Sequence, residues 1–104
     1  MLPPNTDFEE AAVAETRDKV EEPPLFKVLL HNDDFTTMEF VVWVLESVFN
    51  MPEEQAMQVM LNVHLRGIGV AGIYTYEIAE TKVDKTTALA REQEFPLLVT
   101  MEQA

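Results

Sequence analysis

The stretch Leu25-Phe26-Lys27-Val28-Leu29-Leu30-His31-Asn32-Asp33-Asp34-Phe35-Thr36-Thr37-Met38-Glu39 decides the fold, because its pattern changes twice within a short span. Leu25–His31 is apolar and largely continuous, as expected of a strand buried on both faces or nearly so. Thr36-Thr37-Met38-Glu39 fits a capping box, in which the Thr36 hydroxyl and the Glu39 carboxylate satisfy the first amides of a helix. Between the two, Asn32-Asp33-Asp34 crowds two carboxylates and an amide into a strand-to-helix turn. Local structure needs one such residue, and Asp34 is the expected Asx-type turn residue. The surplus describes a site that collects hydrogen-bond donors, most simply a cation.

Working outward, the first helix is expected to run to about Phe49, with Phe40, Val41, Val44, Leu45 and Val48 at core spacing. Trp43 falls with Glu39, Glu46 and Ser47 on its outer face, where one exposed aromatic residue is ordinary. A second helix starts at Pro52, with Glu53 and Glu54 near the positive end of its dipole. Its Ala56, Val59, Met60 and Val63 form one stripe, and Arg66-Gly67 ends it. Val70–Ile78 reads as a strand, Ala79–Gln93 as a helix with Val83 and Ala90 inward, and Pro96–Met101 as a closing strand. The expected fold is therefore a small α+β domain of order βααβαβ, with three helices on one face of a three-stranded antiparallel sheet.

Upstream of Pro23-Pro24 the character changes. Residues 1–22 hold seven acidic and two basic residues, and Leu2, Phe8, Val13 and Val20 are too scattered to form a face. The expectation is a flexible acidic extension at 1–22 before a single domain at 23–104. With no cysteine in the 104 residues, disulfides and thiolate metal sites are excluded. The formal charge of −12 argues against a nucleic-acid partner, whose phosphates call for Lys and Arg. No apolar run approaches the roughly 20 residues of a membrane span. The acidic start lacks the basic and apolar regions of a signal peptide, so a cytoplasmic protein without membrane partners is expected.

Two chemistries can use the acceptor-rich turn. A divalent ion could be held by His31, Asp33, Asp34 and His64, since imidazole and carboxylate suit several metals. The same four residues would serve a small metal-dependent hydrolase, although no nucleophile motif, phosphate loop or recognised metal spacing is present. The other use is ammonium recognition. A protonated amine presents three donors, and it needs a carboxylate for charge and neutral acceptors for its remaining protons. Asp33 supplies the charge, while the Asn32 carbonyl and a neutral His64 nitrogen supply acceptors. Met38 and Met60 would flank this site as adaptable thioether walls for a bulky apolar group. An amine beside an apolar pocket is a protein N terminus with a large first residue. Against both uses stand plain structural roles: methionines at helical spacing as core packing, and His64 as a satisfied core histidine.

Residues 23–104 resemble ClpS, the bacterial adaptor that delivers N-degron substrates to the ClpA unfoldase of the ClpAP protease. The resemblance is carried by Phe26-Lys27-Val28, Asn32-Asp33-Asp34-Phe35-Thr36 and Met38-Glu39-Phe40-Val41. It continues through Met60-Leu61, Val63-His64, Gly72, Glu77, Ala79-Glu80-Thr81-Lys82-Val83, Ala90-Arg91 and Pro96-Leu97. It implies an adaptor and not an enzyme, without cofactor or metal and acting as a monomer. The substrate α-amino group would lie against Asn32, Asp33 and His64, with Asp34 and Thr36 near the first peptide units. Met38, Val41, Met60, Val63 and Leu97 would line the pocket for the first side chain (Leu, Phe, Tyr or Trp), with Leu30 near its base. Met38 would reject β-branched Val and Ile. Glu77 and Lys82 match the surface that docks on the ClpA N-terminal domain, and the acidic extension matches the segment ClpA engages during transfer. Two departures stand out. Relatives usually carry proline where this chain has Thr37, and Trp43 replaces a different residue in many of them.

Overall fold

In the computed structural model, which describes residues 22–104, the apolar run Leu25–His31 is the central strand β1 of a three-stranded antiparallel sheet. Its neighbours are β2 (Ile68–Thr75) and β3 (Leu98–Gln103), in the order β2-β1-β3. Central placement buries Val28, Leu29 and Leu30, while Lys27 interrupts the apolar run and Leu25 at its start is half exposed. Between Val28, paired with Gly72, and Leu29, paired with Val70, the β1–β2 register slips, so Ala71 is the extra residue of a bulge. The helices are α1 (Met38–Ser47), α2 (Glu53–Arg66) and α3 (Tyr76–Glu92), completing the order βααβαβ. Val28, Leu30, Ala71 and Val99 of the sheet share one core cluster with Val41, Val44, Leu45, Ala56, Met60, Val63, Ala79 and Ala90 of the helices. The flexible extension expected at 1–22 lies, apart from Glu22, outside the described residues.

Several boundaries differ from the sequence expectation. The N-cap of α1 is Thr37, whose hydroxyl accepts from the Phe40 amide at 3.1 Å. Thr36 belongs to the preceding turn, where its amide and its hydroxyl both donate to the Asp33 carboxylate at 2.7 Å. With the start shifted by one residue, Glu39 is the second helical residue and the Thr36–Glu39 capping box does not form. Pro52 caps α2 instead of opening it, and Gly67 ends that helix in the left-handed region at φ +87°.

β2 begins and ends earlier than expected, and α3 starts at Tyr76 rather than Ala79. The β-branched and aromatic residues Ile73–Ile78 favour a strand locally. Tertiary packing overrides this at Tyr76, whose ring meets Phe26 edge-on at 5.2 Å while Ala79, Thr86 and Ala90 turn to the core. β3 starts two residues late because Pro96 lacks an amide donor. Arg91 Nη1 also binds the Phe95 and Leu97 carbonyls, at 2.7 and 3.2 Å.

Candidate functional site

The chain ends β1 and α2 at the same place. The Asn32 amide donates to the Gly67 carbonyl at 2.9 Å, and His31 pairs with Ile68 at the first position of β2. The left-handed turn at Gly67 lets α2 run directly into β2. One close approach sustains this packing: a β-carbon at Gly69 would fall 2.6 Å from Val63 Cγ2, so only glycine lets α2 lie so low over the sheet edge. The consequence is that His64, one turn before the helix end, stands beside the turn after β1.

A cavity of about 390 Å³ opens there. Its polar end is made by Asn32, Asp33, Asp34, Thr36 and His64, and its apolar side by Met38, Val41, Met60 and Val63. Val41, Met60 and Val63 are buried, whereas Met38 is 42% exposed and stands at the mouth. Sequence reasoning assigned no site role to Phe35 and Thr37, which also line the cavity. Leu30 and Leu97, expected as its base and wall, do not line it. Both are enclosed in the core at 0% and 1% exposure, because Leu30 points from β1 into the helix layer.

Asp33 is the organising group of the polar end. Its Oδ1 accepts from the Phe35 amide at 2.8 Å and the Thr36 amide at 2.7 Å, and its Oδ2 from the Thr36 hydroxyl. This is the Asx-type turn expected of Asp34; the structure assigns it to Asp33, and Asp34 points outward as an exposed cavity residue. Burial pushes the Asp33 carboxyl up. The Thr36 hydroxyl, the Thr36 and Phe35 amides and the positive charge of Arg91 outweigh it, holding the carboxyl below its ordinary value. No sequence signal pointed to Arg91 in this role, since it sits on the far helix and reaches the site only through the fold.

The fourfold set His31, Asp33, Asp34 and His64 is not assembled. His31 Nε2 is hydrogen-bonded to Thr100 Oγ1 at 2.7 Å, on β3, and does not line the cavity. Among the described residues no group of three or more His, Asp or Glu side chains is placed to hold a metal. The metal and hydrolase readings of those four residues therefore fail on geometry.

Glu77 and Lys82 both lie on α3, away from the cavity. Glu77 is exposed. Lys82 is partly buried, with its Nζ donating to the Val48 carbonyl at 2.6 Å and lying 5.9 Å from the Phe49 ring centre and 5.7 Å from that of Tyr74. Its charge thus caps the negative end of α1.

Residues 21–100 match the family model of the ATP-dependent Clp protease adaptor protein ClpS. The chain belongs to the ClpS family. It is 57% identical over 93 residues to the ClpS adapter of Methylococcus capsulatus, covering 89% of this chain and 88% of that protein. To the ClpS adapter of Myxococcus xanthus it is 55% identical over 86 residues, covering 83% and 80%. Among solved structures, Agrobacterium tumefaciens ClpS2 bound to L-phenylalaninamide superposes with a TM-score of 0.77. The two are 43% identical over 80% of this chain and all of the other. As a ClpS adaptor of the Clp protease the protein is not an enzyme. No helix among the described residues is long and apolar enough to cross a membrane.

Proposed function

We propose that the cavity binds the free α-amino group and large apolar first side chain of N-degron substrates, which the protein hands to the ClpA unfoldase of the ClpAP protease. The observation that carries this reading is one cavity with an acceptor-rich end and an apolar side. An ionised carboxylate has about four accepting positions, and the turn fills three of those of Asp33. One position on Oδ2 and the negative charge are left for an ammonium group. Asn32 and His64 supply the other acceptors, so three donors meet three acceptors. The donors already bound to Asp33 fix its orientation before any ligand arrives, which lowers the ordering cost of binding.

Met38, Val41, Met60 and Val63 then receive Leu, Phe, Tyr or Trp, with Asp34 and Thr36 at the first peptide units. Met38 at the mouth disfavours the β-branched Val and Ile. A bound L-phenylalaninamide in the Agrobacterium protein supports this, being a large first residue with a free amine and no carboxylate. Burying such a side chain contributes roughly 1.5–3 kcal/mol, and each charge-assisted hydrogen bond about 1.5–3 kcal/mol. After association costs, an affinity near −8 to −10 kcal/mol, roughly micromolar to high-nanomolar, suits a carrier that must release its cargo. The remaining assignments follow the family resemblance: a monomer in the cytoplasm, docking on the ClpA N-terminal domain through Glu77 and Lys82, and an acidic segment 1–22 engaged by ClpA ahead of the 23–104 domain.

The test is a titration of a Leu-initiated peptide, free and N-acetylated, by fluorescence anisotropy. The free peptide binds and the acetylated one does not, because acetylation removes the charge and two of the three donors at once. Equal binding of both sinks the amine assignment.

A further inference from the structure

Met38 and Met60 serve two spaces. They wall the apolar side of the amine cavity, and they also border a second groove of about 400 Å³ between α1 and α2. The rest of that groove is Val42, Trp43 and Met57, with Glu39 and Glu46 as its charged members. Trp43 and Met57 are 47% and 43% exposed, on helix positions that face away from the core. The indole packs on the ring of Phe40, with centres 5.8 Å apart. A half-exposed tryptophan among three methionines is an apolar platform.

Charge and continuity decide what lies on it. The groove's two carboxylates disfavour the chain's own segment 1–22, with its seven acidic and two basic residues. They equally disfavour a second copy of a chain with net charge −12. A substrate whose first side chain packs against Met38 and Met60 touches the wall that the cavity shares with the groove. At about 3.3–3.6 Å per extended residue, its next few residues fall within reach of Trp43.

We infer that the α1–α2 groove is a second specificity site, which takes an apolar side chain from residues two to four of the bound N-terminal segment when basic residues flank it. This rests on the amine-pocket reading above and extends it: substrates would be selected by their first residue and by a nearby apolar–basic pair. Trp43 is the chain's only tryptophan, so it also reports on its own occupancy.

The experiment uses the full chain and non-fluorescent peptides beginning with Leu. Three test peptides place a second Leu at position two, three or four, with lysines at the remaining positions from two to five, and the control of equal charge has Ser in place of that second Leu. At least one test peptide should bind five-fold or more tighter than the control and shift the tryptophan emission to the blue, while the control leaves the emission in place. Trp43→Ala and, separately, Met57→Ser should reduce the test peptide to the control's affinity without changing the control's. Replacing the flanking lysines by glutamates should abolish the advantage. Equal affinity of test and control peptides overturns the groove assignment and leaves the amine pocket standing, as does an advantage that survives both substitutions or the glutamates. Failure of every peptide to bind overturns both.

Discussion

The Asn32 amide donates a 2.9 Å hydrogen bond to the Gly67 carbonyl, fastening the last turn of α2 to the end of β1. That bond brings His64 to the acceptor turn, and it depends on Gly67 holding φ +87°. A β-carbon there would touch nothing within 4 Å, so the cost of Gly67→Ala is conformational, roughly 1–2 kcal/mol. Gly67→Asn should cost less, because asparagine tolerates the left-handed region. Urea denaturation of the two variants checks the order. The Ala variant should also bind a Leu-initiated peptide more weakly, as His64 moves with the helix end.

Asp33 gives a pH signature with a definite sign. Its carboxyl titrates below the ordinary value of 3.8, so the folded state favours the ionised form. The stability this contributes is fully present above 3.8 and is lost as pH falls through the lower folded-state value. Asp33→Asn keeps a carbonyl acceptor but not the charge. The gap in unfolding free energy between parent and variant should be constant from pH 7 to about 5 and should shrink as pH falls through the acid range. NMR titration of the Asp33 carboxyl should give a midpoint under 3.8; a midpoint at or above it would contradict the hydrogen-bond account.

The sequence carried the fold because its strongest signals were not opposed by packing. Leu25–His31 was legible as a central strand, and Pro52 and Gly67 bracketed α2 correctly to within one residue. It failed where two equivalent local choices competed. Thr36 and Thr37 are both good caps, and the fold places Thr36 in the Asp33 turn and Thr37 at the helix start. Likewise Asp33 and Asp34 are chemically alike, and the chain direction after β1 selects the former as the turn residue. Arg91, Phe35 and the groove at Trp43 were not legible, because each acquires its meaning from contacts between elements distant in sequence.

The competing threonines separate by mutation. Thr37→Ala removes the bond to the Phe40 amide and should destabilise the domain by about 1 kcal/mol. Thr37→Pro should cost less than Thr37→Ala, since the cap already sits at φ −74°, which proline adopts freely while restricting the unfolded chain. Thr36→Val leaves α1 capped but removes the hydroxyl from Asp33 Oδ2. Its expected effect is weaker peptide binding. Thermal unfolding and anisotropy on the three variants distinguish a cap from a rim residue, and a larger stability loss for Thr36→Val than for Thr37→Ala would reverse the assignment.

Glu77 and Lys82 are proposed together as a docking surface, yet they differ structurally. Five residues apart on α3, their side chains leave the helix about 140° from one another, so one flat partner surface does not meet both squarely. Glu77 is free in solvent, and Glu77→Ala should change stability by no more than about 0.5 kcal/mol. Lys82 donates a 2.6 Å bond to the Val48 carbonyl and lies beside Phe49 and Tyr74. Lys82→Met should therefore cost about 1.5–3 kcal/mol, the range for a hydrogen bond from a charged donor, partly offset by the buried methionine chain. If Lys82 contacts ClpA directly, Lys82→Met weakens ClpA binding even at temperatures where calorimetry shows the variant fully folded. If its part is to hold the end of α1, binding recovers once the variant is folded, whereas Glu77→Ala loses affinity with its stability intact.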